Sequence, residues 1–260
     1  MALDVVLPAG GRISGSFAEL AGTDVKALIK LGGKSVVERT VQCLREAGVD
    51  GRMVLVGPQE VAADAAGKLV DAVVPEVGSG PDNIMAGLQY LQDTGTTGKT
   101  LIANTDLPFL TPESVRRFLE ACPEDLDLCA PVISKEDFER HYPGMRTAFV
   151  PLKDGLYTMG CLFLVSPTAI SDNRQHIDMV FEARKSQFRM ASLLGFGFVM
   201  RFLLHRLSIP DIEHRCTSML GCSVGAVLTS DANLAFDLDT QAECEYACQH
   251  FISSQLQVGE

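Results

Sequence analysis

Through its first 131 residues the chain alternates short apolar runs with segments of helical periodicity, and this constrains the fold more than any other feature. Residues 4–8, 51–56, 72–75, 100–103 and 126–131 are rich in Val, Leu, Ile and Ala, as strands buried on both faces are. Between them, 35–47, 61–68, 83–94 and 113–121 space their apolar residues three and four apart, as in Val37, Val41 and Leu44, or Ile84, Leu88 and Leu91. Such a β-α-β-α rhythm with short connections predicts an α/β fold: a Rossmann-like three-layer α/β/α arrangement around a mostly parallel sheet. In sheets of this kind ligands bind beyond the carboxyl ends of the strands. The loops after Leu7, Val74 and Ala103 are therefore expected to line one cleft.

The second half is less regular. Residues 147–152 and 157–165 read as strands around an Asp154-Gly155 turn, and 224–228 and 235–238 as later strands before a helix over 241–252. Residues 171–220 turn helical. With no repeat and no low-complexity linker in 260 residues, the expectation is one domain, 1–260, with a helical insertion at 171–220. The most apolar stretch, 193–207, is interrupted by Arg201, His205 and Arg206 and is too short to span a membrane. It reads as a buried or pocket-covering helix, with a membrane-surface helix as the alternative.

A net charge of −11 repels phosphate backbones and argues against nucleic acid as a partner, so an anionic small molecule would have to meet a local basic pocket. None of the eight cysteines stands in a C-x-x-C pair, which argues against zinc. The first residues have neither a basic region nor a cleavage site, and the expected compartment is the cytoplasm with its thiols reduced. Nothing in the sequence fixes an oligomeric state.

Four segments carry chemistry. Leu7-Pro8-Ala9-Gly10-Gly11-Arg12 ends a strand in small residues and a cation: Ala9, Gly10 and Gly11 let backbone N–H groups approach phosphate, and Arg12 can donate to its oxygens. Lys26 adds a second cation. An ordinary glycine-containing β-α turn with two surface cations accounts for the same letters. Two tripeptides, Gly33-Lys34-Ser35 and Gly98-Lys99-Thr100, mimic a P-loop ending, but Leu28 and Asp93 stand where its first glycine belongs. Arg12 likewise breaks a dinucleotide fingerprint over Gly10–Gly15.

In Asn104-Thr105-Asp106-Leu107-Pro108, Asp106 follows a buried strand at the ligand edge, where a hard oxygen ligand suits Mg²⁺; helix capping is the plainer role. Asp237-Leu238-Asp239-Thr240 places Asp237 and Asp239 on one side of an extended segment, either of them able to share a metal with Asp106. A capping box from Asp239 or Thr240 to Glu243 is compatible with that. Ser79, Gly80 and Asn83 lie in a polar loop before a helix, where they serve either a nucleobase or a plain turn.

Together these segments resemble the MobA-like NTP transferase superfamily, which includes the molybdenum-cofactor and isoprenoid-precursor nucleotidyltransferases. Leu7–Pro8 through Arg12 is similar to the family's L-A-G-G opening, with Pro8 in place of a small residue; Lys26 is similar to its later lysine; Thr105-Asp106-Leu107-Pro108 to its T-D-x-P segment; and Asp237 through Glu243 to its closing D-x-D-T-x-x-[DE] segment. The match covers 1–130 and 224–250, while 171–220 resembles neither branch.

The resemblance implies a nucleotidyltransferase. An acceptor attacks the α-phosphorus of an NTP and pyrophosphate leaves, with Mg²⁺ as cofactor. It implies catalytic roles for Arg12, Lys26 and Asp106, and metal ligation by Asp106 with Asp239 or Asp237. Nucleotide contacts would come from Pro8, Ala9, Gly10, Gly11, Arg12, Lys26, Ser79, Gly80, Asn83 and Thr105. For the acceptor, a small and anionic molecule, Gly160 offers close approach and Arg184, Lys185 and Arg189 a basic cluster. That cluster is equally a solvated helix face. Alternatives from other classes are a glycosyltransferase using Asp237-Leu238-Asp239 as an Asp-x-Asp motif, a non-catalytic nucleotide-binding regulator, and an interaction protein without a nucleotide site.

Overall fold

The computed structural model describes residues 2–183 and 186–257. The chain first lays down β1 (Asp4–Pro8), α1 (Gly15–Ala21), a ribbon of β2 (Lys30–Leu31) and β3 (Lys34–Ser35), α2 (Val36–Glu46), β4 (Met53–Gly57), α3 (Gln59–Ala63), β5 (Ala72–Pro75), α4 (Gly80–Asp93), β6 (Thr100–Ala103) and α5 (Pro112–Ala121). It continues with β7 (Leu128–Ser134), α6 (Lys135–His141), β8 (Val150–Leu152), β9 (Gly155–Met159), β10 (Leu162–Val165), α7 (Pro167–Asp172), α8 (Arg174–Ala183), α9 (Gln187–Leu194), α10 (Phe196–Leu203), α11 (Ile209–Leu220), β11 (Val224–Thr229) and α12 (Gln241–Gln257). Two compact units result, Met1–Arg117 with Phe236–Glu260, and Phe118–Ala235.

In the first unit four strands run parallel in the order β5-β4-β1-β6, with Val5 facing Met53 on one side and Leu101 on the other. Val5, Val6 and Leu7 are wholly buried, as the unbroken apolar run requires of a central parallel strand. α2 lays Val36, Val37, Val41 and Leu44 inward, and its cap is Ser35, whose hydroxyl accepts from Glu38 N at 3.2 Å. α4 packs so closely that a methyl group at Gly87 would stand 2.5 Å from Val6 Cγ1.

In the second unit β11 pairs in parallel along β7 from Leu128 to Ile133, and β8 and β9 form the expected antiparallel hairpin. β9 and β10 are two parts of one antiparallel partner of β7, broken at Gly160-Cys161. Met159 faces Val132 and Leu164 faces Cys129, so five steps on one strand match three on the other, and the continuous strand expected over 157–165 is bulged.

Three further expectations give way. The connection expected as a loop after Leu7 is not loop throughout, because α1 forms within it and ends on Gly22 in the left-handed region (φ 67°). Residues 235–238 are not a strand: they follow a 3₁₀ turn at Ala232–Leu234, and Leu238 N donates to Asp106 O at 3.1 Å instead of to a ladder. The helix within 193–207 is not buried; α10 has no buried residue, and Phe196 is among the most exposed side chains described. The helical expectation for 171–220 holds through α7 to α11.

Candidate active site

The site belongs to the first unit, at the carboxyl ends of β1, β5 and β6. Beyond Pro8 the chain leaves the sheet in steps: Ala9 N still donates to Val56 O (2.7 Å), and the Thr105 hydroxyl donates to Pro8 O (2.8 Å). Pro8, Ala9 and buried Thr105 thus frame the turn. Lys26 N donates to Gly11 O (3.0 Å) and Ile13 N to Asp24 O (2.9 Å), a clasp that sets where the Lys26 side chain emerges.

Gly10 lies close under two side chains. A methyl group there would lie 2.7 Å from Asn83 Nδ2 and 2.8 Å from Glu76 Oε2. Gly11 has more room, with Lys26 Cβ at 3.5 Å. The Arg12 guanidinium donates to Gly10 O (2.9 Å) and to Glu76 Oε1 (2.5 Å), so it lies across the glycine turn. Sequence reasoning passed over Glu76. Its signal was position, as the first residue after the carboxyl end of β5, in the same loop layer as Arg12.

The loop from β5 into α4 is held from within. Buried Asn83 accepts from Val77 N through Oδ1 (2.9 Å), which turns Nδ2 toward Gly10. Ser79 and Asp82 form a capping box, with the Ser79 hydroxyl on Asp82 Oδ2 (2.6 Å), so α4 starts at Gly80 and not at 83. Gly80 has open space at its Cβ position.

The second cluster is acidic. Asp106, Asp237 and Asp239 each bring a carboxylate oxygen within 4.8 Å of the others. They arrive on two loops joined by the Leu238–Asp106 backbone bond and by aromatic packing, with the Phe109 and Phe236 rings 4.9 Å apart and Phe109 stacked on Phe251 at 5.8 Å. Glu243 Oε2 accepts from Asp239 N (2.7 Å) and Thr240 N (2.6 Å), and the Thr240 hydroxyl caps α12. Capping and clustering therefore both hold, and the Asp239 carboxylate is left to the cluster. Lys26 Nζ sits 3.0 Å from Asp106 Oδ2 and bonds Asp239 Oδ1 as well.

The electrostatics follow from this crowding. Burial pushes the Asp237 carboxyl up, and the like charges of Asp106 and Asp239 push it further, to about 7. Burial alone would lower the Lys26 ammonium, but Asp106 and Asp239 outweigh it and hold its proton above the usual lysine range. Buried Oδ1 of Asp106 has no hydrogen-bond partner. An all-carboxylate donor set with an unsatisfied buried oxygen fits a hard divalent cation.

Gly160 is buried in the second unit, where a methyl group would meet Leu234 O at 2.7 Å and Pro131 Cγ at 2.8 Å, so packing at the bulge accounts for its missing side chain. Arg184 and Lys185 lie outside the described residues. Arg189 is exposed on α9. No described helix is long and apolar enough to cross a membrane.

The chain as a whole resembles known proteins. The model of the MobA-like NTP transferase domain matches residues 5–188. A 3-deoxy-manno-octulosonate cytidylyltransferase of Chelativorans sp. (strain BNC1) is 31% identical over 230 residues, covering 84% of this chain and 91% of the relative. A hypothetical transferase from Thermus thermophilus superposes with a TM-score of 0.83 at 27% identity, over 94% of this chain and all of that one. The 2-C-methyl-D-erythritol 4-phosphate cytidylyltransferase of Thermus thermophilus shares the fold at 16% identity, with a TM-score of 0.54 over 96% of this chain and 99% of that one. These likenesses, and a motif set falling on one layer of loops, set aside the glycosyltransferase, regulator and interaction-protein readings: the chain belongs to the MobA-like NTP transferase family and is a nucleotidyltransferase.

Proposed function

We propose that the protein transfers a nucleoside monophosphate from CTP to a small anionic acceptor, with a divalent cation, Mg²⁺, held by Asp106, Asp237 and Asp239. The observation that carries this is the acidic cluster neutralised by Lys26 beside the Arg12 turn. The cytidylyltransferase relative, at 31% identity across most of both chains, supports CTP as the donor.

In the reaction an acceptor oxygen attacks the α-phosphorus and forms a new P–O bond. The bond to the β-phosphate oxygen breaks, and pyrophosphate leaves with the electron pair. When bound, Mg²⁺ neutralises phosphate charge and acts as a Lewis acid. Lys26 and Arg12 hold the triphosphate, each exchanging a carboxylate partner for phosphate oxygens, and offset charge on the leaving pyrophosphate. Pro8, Ala9, Gly10, Gly11 and Thr105 shape the turn so that backbone N–H groups can approach phosphate. In this reading Ser79, Gly80 and Asn83 serve the base. A phosphate oxygen of the acceptor is already deprotonated near neutral pH and needs no general base, whereas a hydroxyl must give up its proton to one. Binding fixes the two reactants in line, which removes the entropy cost of their encounter. Arg184 and Lys185 remain candidates for the acceptor's charge.

The test is a thermal-shift panel of ATP, GTP, CTP and UTP, each with and without Mg²⁺, followed by pyrophosphate release from the nucleotide that shifts across a set of sugar acids and sugar phosphates. A Mg²⁺-dependent shift confined to CTP supports the donor. A larger shift with another nucleotide removes CTP, and binding without pyrophosphate release from any acceptor in the set rejects an anionic acceptor of that kind.

A further inference from the structure

A surface helix ordinarily turns its apolar stripe toward the core. α10 does the reverse. Phe196 is 81% exposed, Leu203 62% and Leu204, one residue beyond the helix, 58%, with Met200 exposed beside them. Spacings of four, seven and eight from Phe196 put these side chains on a single face. Contiguous exposed apolar surface of this kind marks an interaction site.

The charge around the face differs from that of the chain as a whole. Between 186 and 220 stand Arg189, Arg201, Arg206 and Arg215 against only Asp211 and Glu213, in a chain of net charge −11. Arg189, His205 and Arg206 are exposed on α9 and at the end of α10, and Arg201 is held by Asp211 at 2.7 Å. α9 packs against α10, and Arg206 stands two residues beyond Leu204, so exposed arginines lie on the same helices and turn as the apolar face. The net charge of −11 opposes a second copy and an anionic surface alike, so the local charge decides: in a two-fold pair the patch meets its own copy, apolar side chains against apolar ones but arginines against arginines. An anionic lipid surface complements both parts, since apolar side chains enter the boundary between headgroups and acyl chains while arginines meet the phosphates.

We propose that α10 docks the protein on an anionic membrane surface, with Phe196, Met200, Leu203 and Leu204 inserted and Arg189 and Arg206 on the headgroups. Docking of this kind lies in the interface plane and needs no spanning helix.

The test is flotation of the full chain with vesicles of phosphatidylcholine alone and of phosphatidylcholine with about one-third phosphatidylserine. The protein is expected to float with the anionic vesicles only, and less as salt rises. Arg189→Gln and Arg206→Gln should each weaken binding about fivefold, the equivalent of about 1 kcal/mol per charge near the surface. Phe196→Glu combined with Leu203→Glu should abolish flotation with an unchanged circular dichroism spectrum; should that pair fail to fold, Phe196→Ser with Leu204→Ser carries the same expectation. No flotation, equal flotation with both vesicles, or full binding by the folded double variants would overturn the proposal. So would a dimer in sedimentation analysis that the double variant dissolves, because the face would then belong to a second copy.

Discussion

Replacing Lys26 by methionine separates the charge balance its ammonium gives the aspartates from the catalytic role proposed for it. At 3.0 Å from Asp106 Oδ2, a unit-charge pair is worth about 5 kcal/mol at an effective dielectric near 20. Desolvation of the ammonium and the 62% exposure of the Asp239 side chain cut the net value to about 1–3 kcal/mol. Methionine keeps the length and apolar stem of lysine and removes the charge. Without it, Asp106, Asp237 and Asp239 face one another uncompensated, and the metal-free variant should be less stable by about 1–3 kcal/mol, a fall in Tm of roughly 2–10 °C. Mg²⁺ no longer has to displace an ammonium, so its affinity for the nucleotide-free protein should rise about tenfold, the equivalent of roughly 1.4 kcal/mol. Turnover should fall about 10²–10³-fold, because the charge that offsets the leaving pyrophosphate is gone. Calorimetric titration with Mg²⁺, thermal unfolding with and without it, and steady-state pyrophosphate release read the three quantities. A variant that binds Mg²⁺ no more tightly than the parent would refute the competition between Lys26 and metal, whatever happens to its activity.

Other substitutions probe the frame. Gly87→Ala should cost about 1–3 kcal/mol in urea unfolding, because the new methyl meets Val6 and Val56 between α4 and the sheet; a neutral result would mean the helix shifts freely. Gly160→Ala should destabilise by a similar amount through Leu234 O and Pro131, and a change in acceptor KM with intact stability would instead return Gly160 to the acceptor. Burial tends to raise the Asp4 carboxyl, but hydrogen bonds from Thr96, the Arg52 backbone and the Arg52 guanidinium outweigh it and hold its pKa below the usual value. A depressed folded-state pKa gives stability that is present above the unfolded value and lost as pH falls through the folded one. The advantage of the parent over Asp4→Asn, about 1–3 kcal/mol at pH 7, should therefore shrink below about pH 4; an advantage constant down to pH 2 would show that the charge contributes nothing.

The parallel half of the fold was legible because burial on both faces demands apolar runs, and β1, β4 and β6 have them. The acidic cluster was legible for a related reason: Asp106 stands three residues past the end of β6, and Asp237 and Asp239 stand two apart in an extended segment. That same alternation misled at 235–238, since a loop packed on Phe109 hides its apolar residues as a strand would, and only the missing ladder tells them apart. Composition also marked the apolar stretch at 193–207 but could not say which way its side chains turn, because a helix's rotation is set by what packs against it. Side-chain pairing was the least legible feature. Arg12 and Glu76 lie 64 positions apart and Lys26 and Asp239 lie 213 apart, so no local pattern links them. Yet both pairs follow one rule. A half-buried site built for charged ligands is costly to leave unbalanced, so in their absence the chain supplies the charges itself. Under the proposed function the Lys26 ammonium stands where a cation would be drawn, and the Glu76 carboxylate where phosphate oxygens would meet Arg12. Binding then becomes an exchange of partners rather than the filling of bare charge, and each exchange makes the other easier: a cation on the aspartates frees Lys26, and the triphosphate that receives Lys26 also draws Arg12 from Glu76.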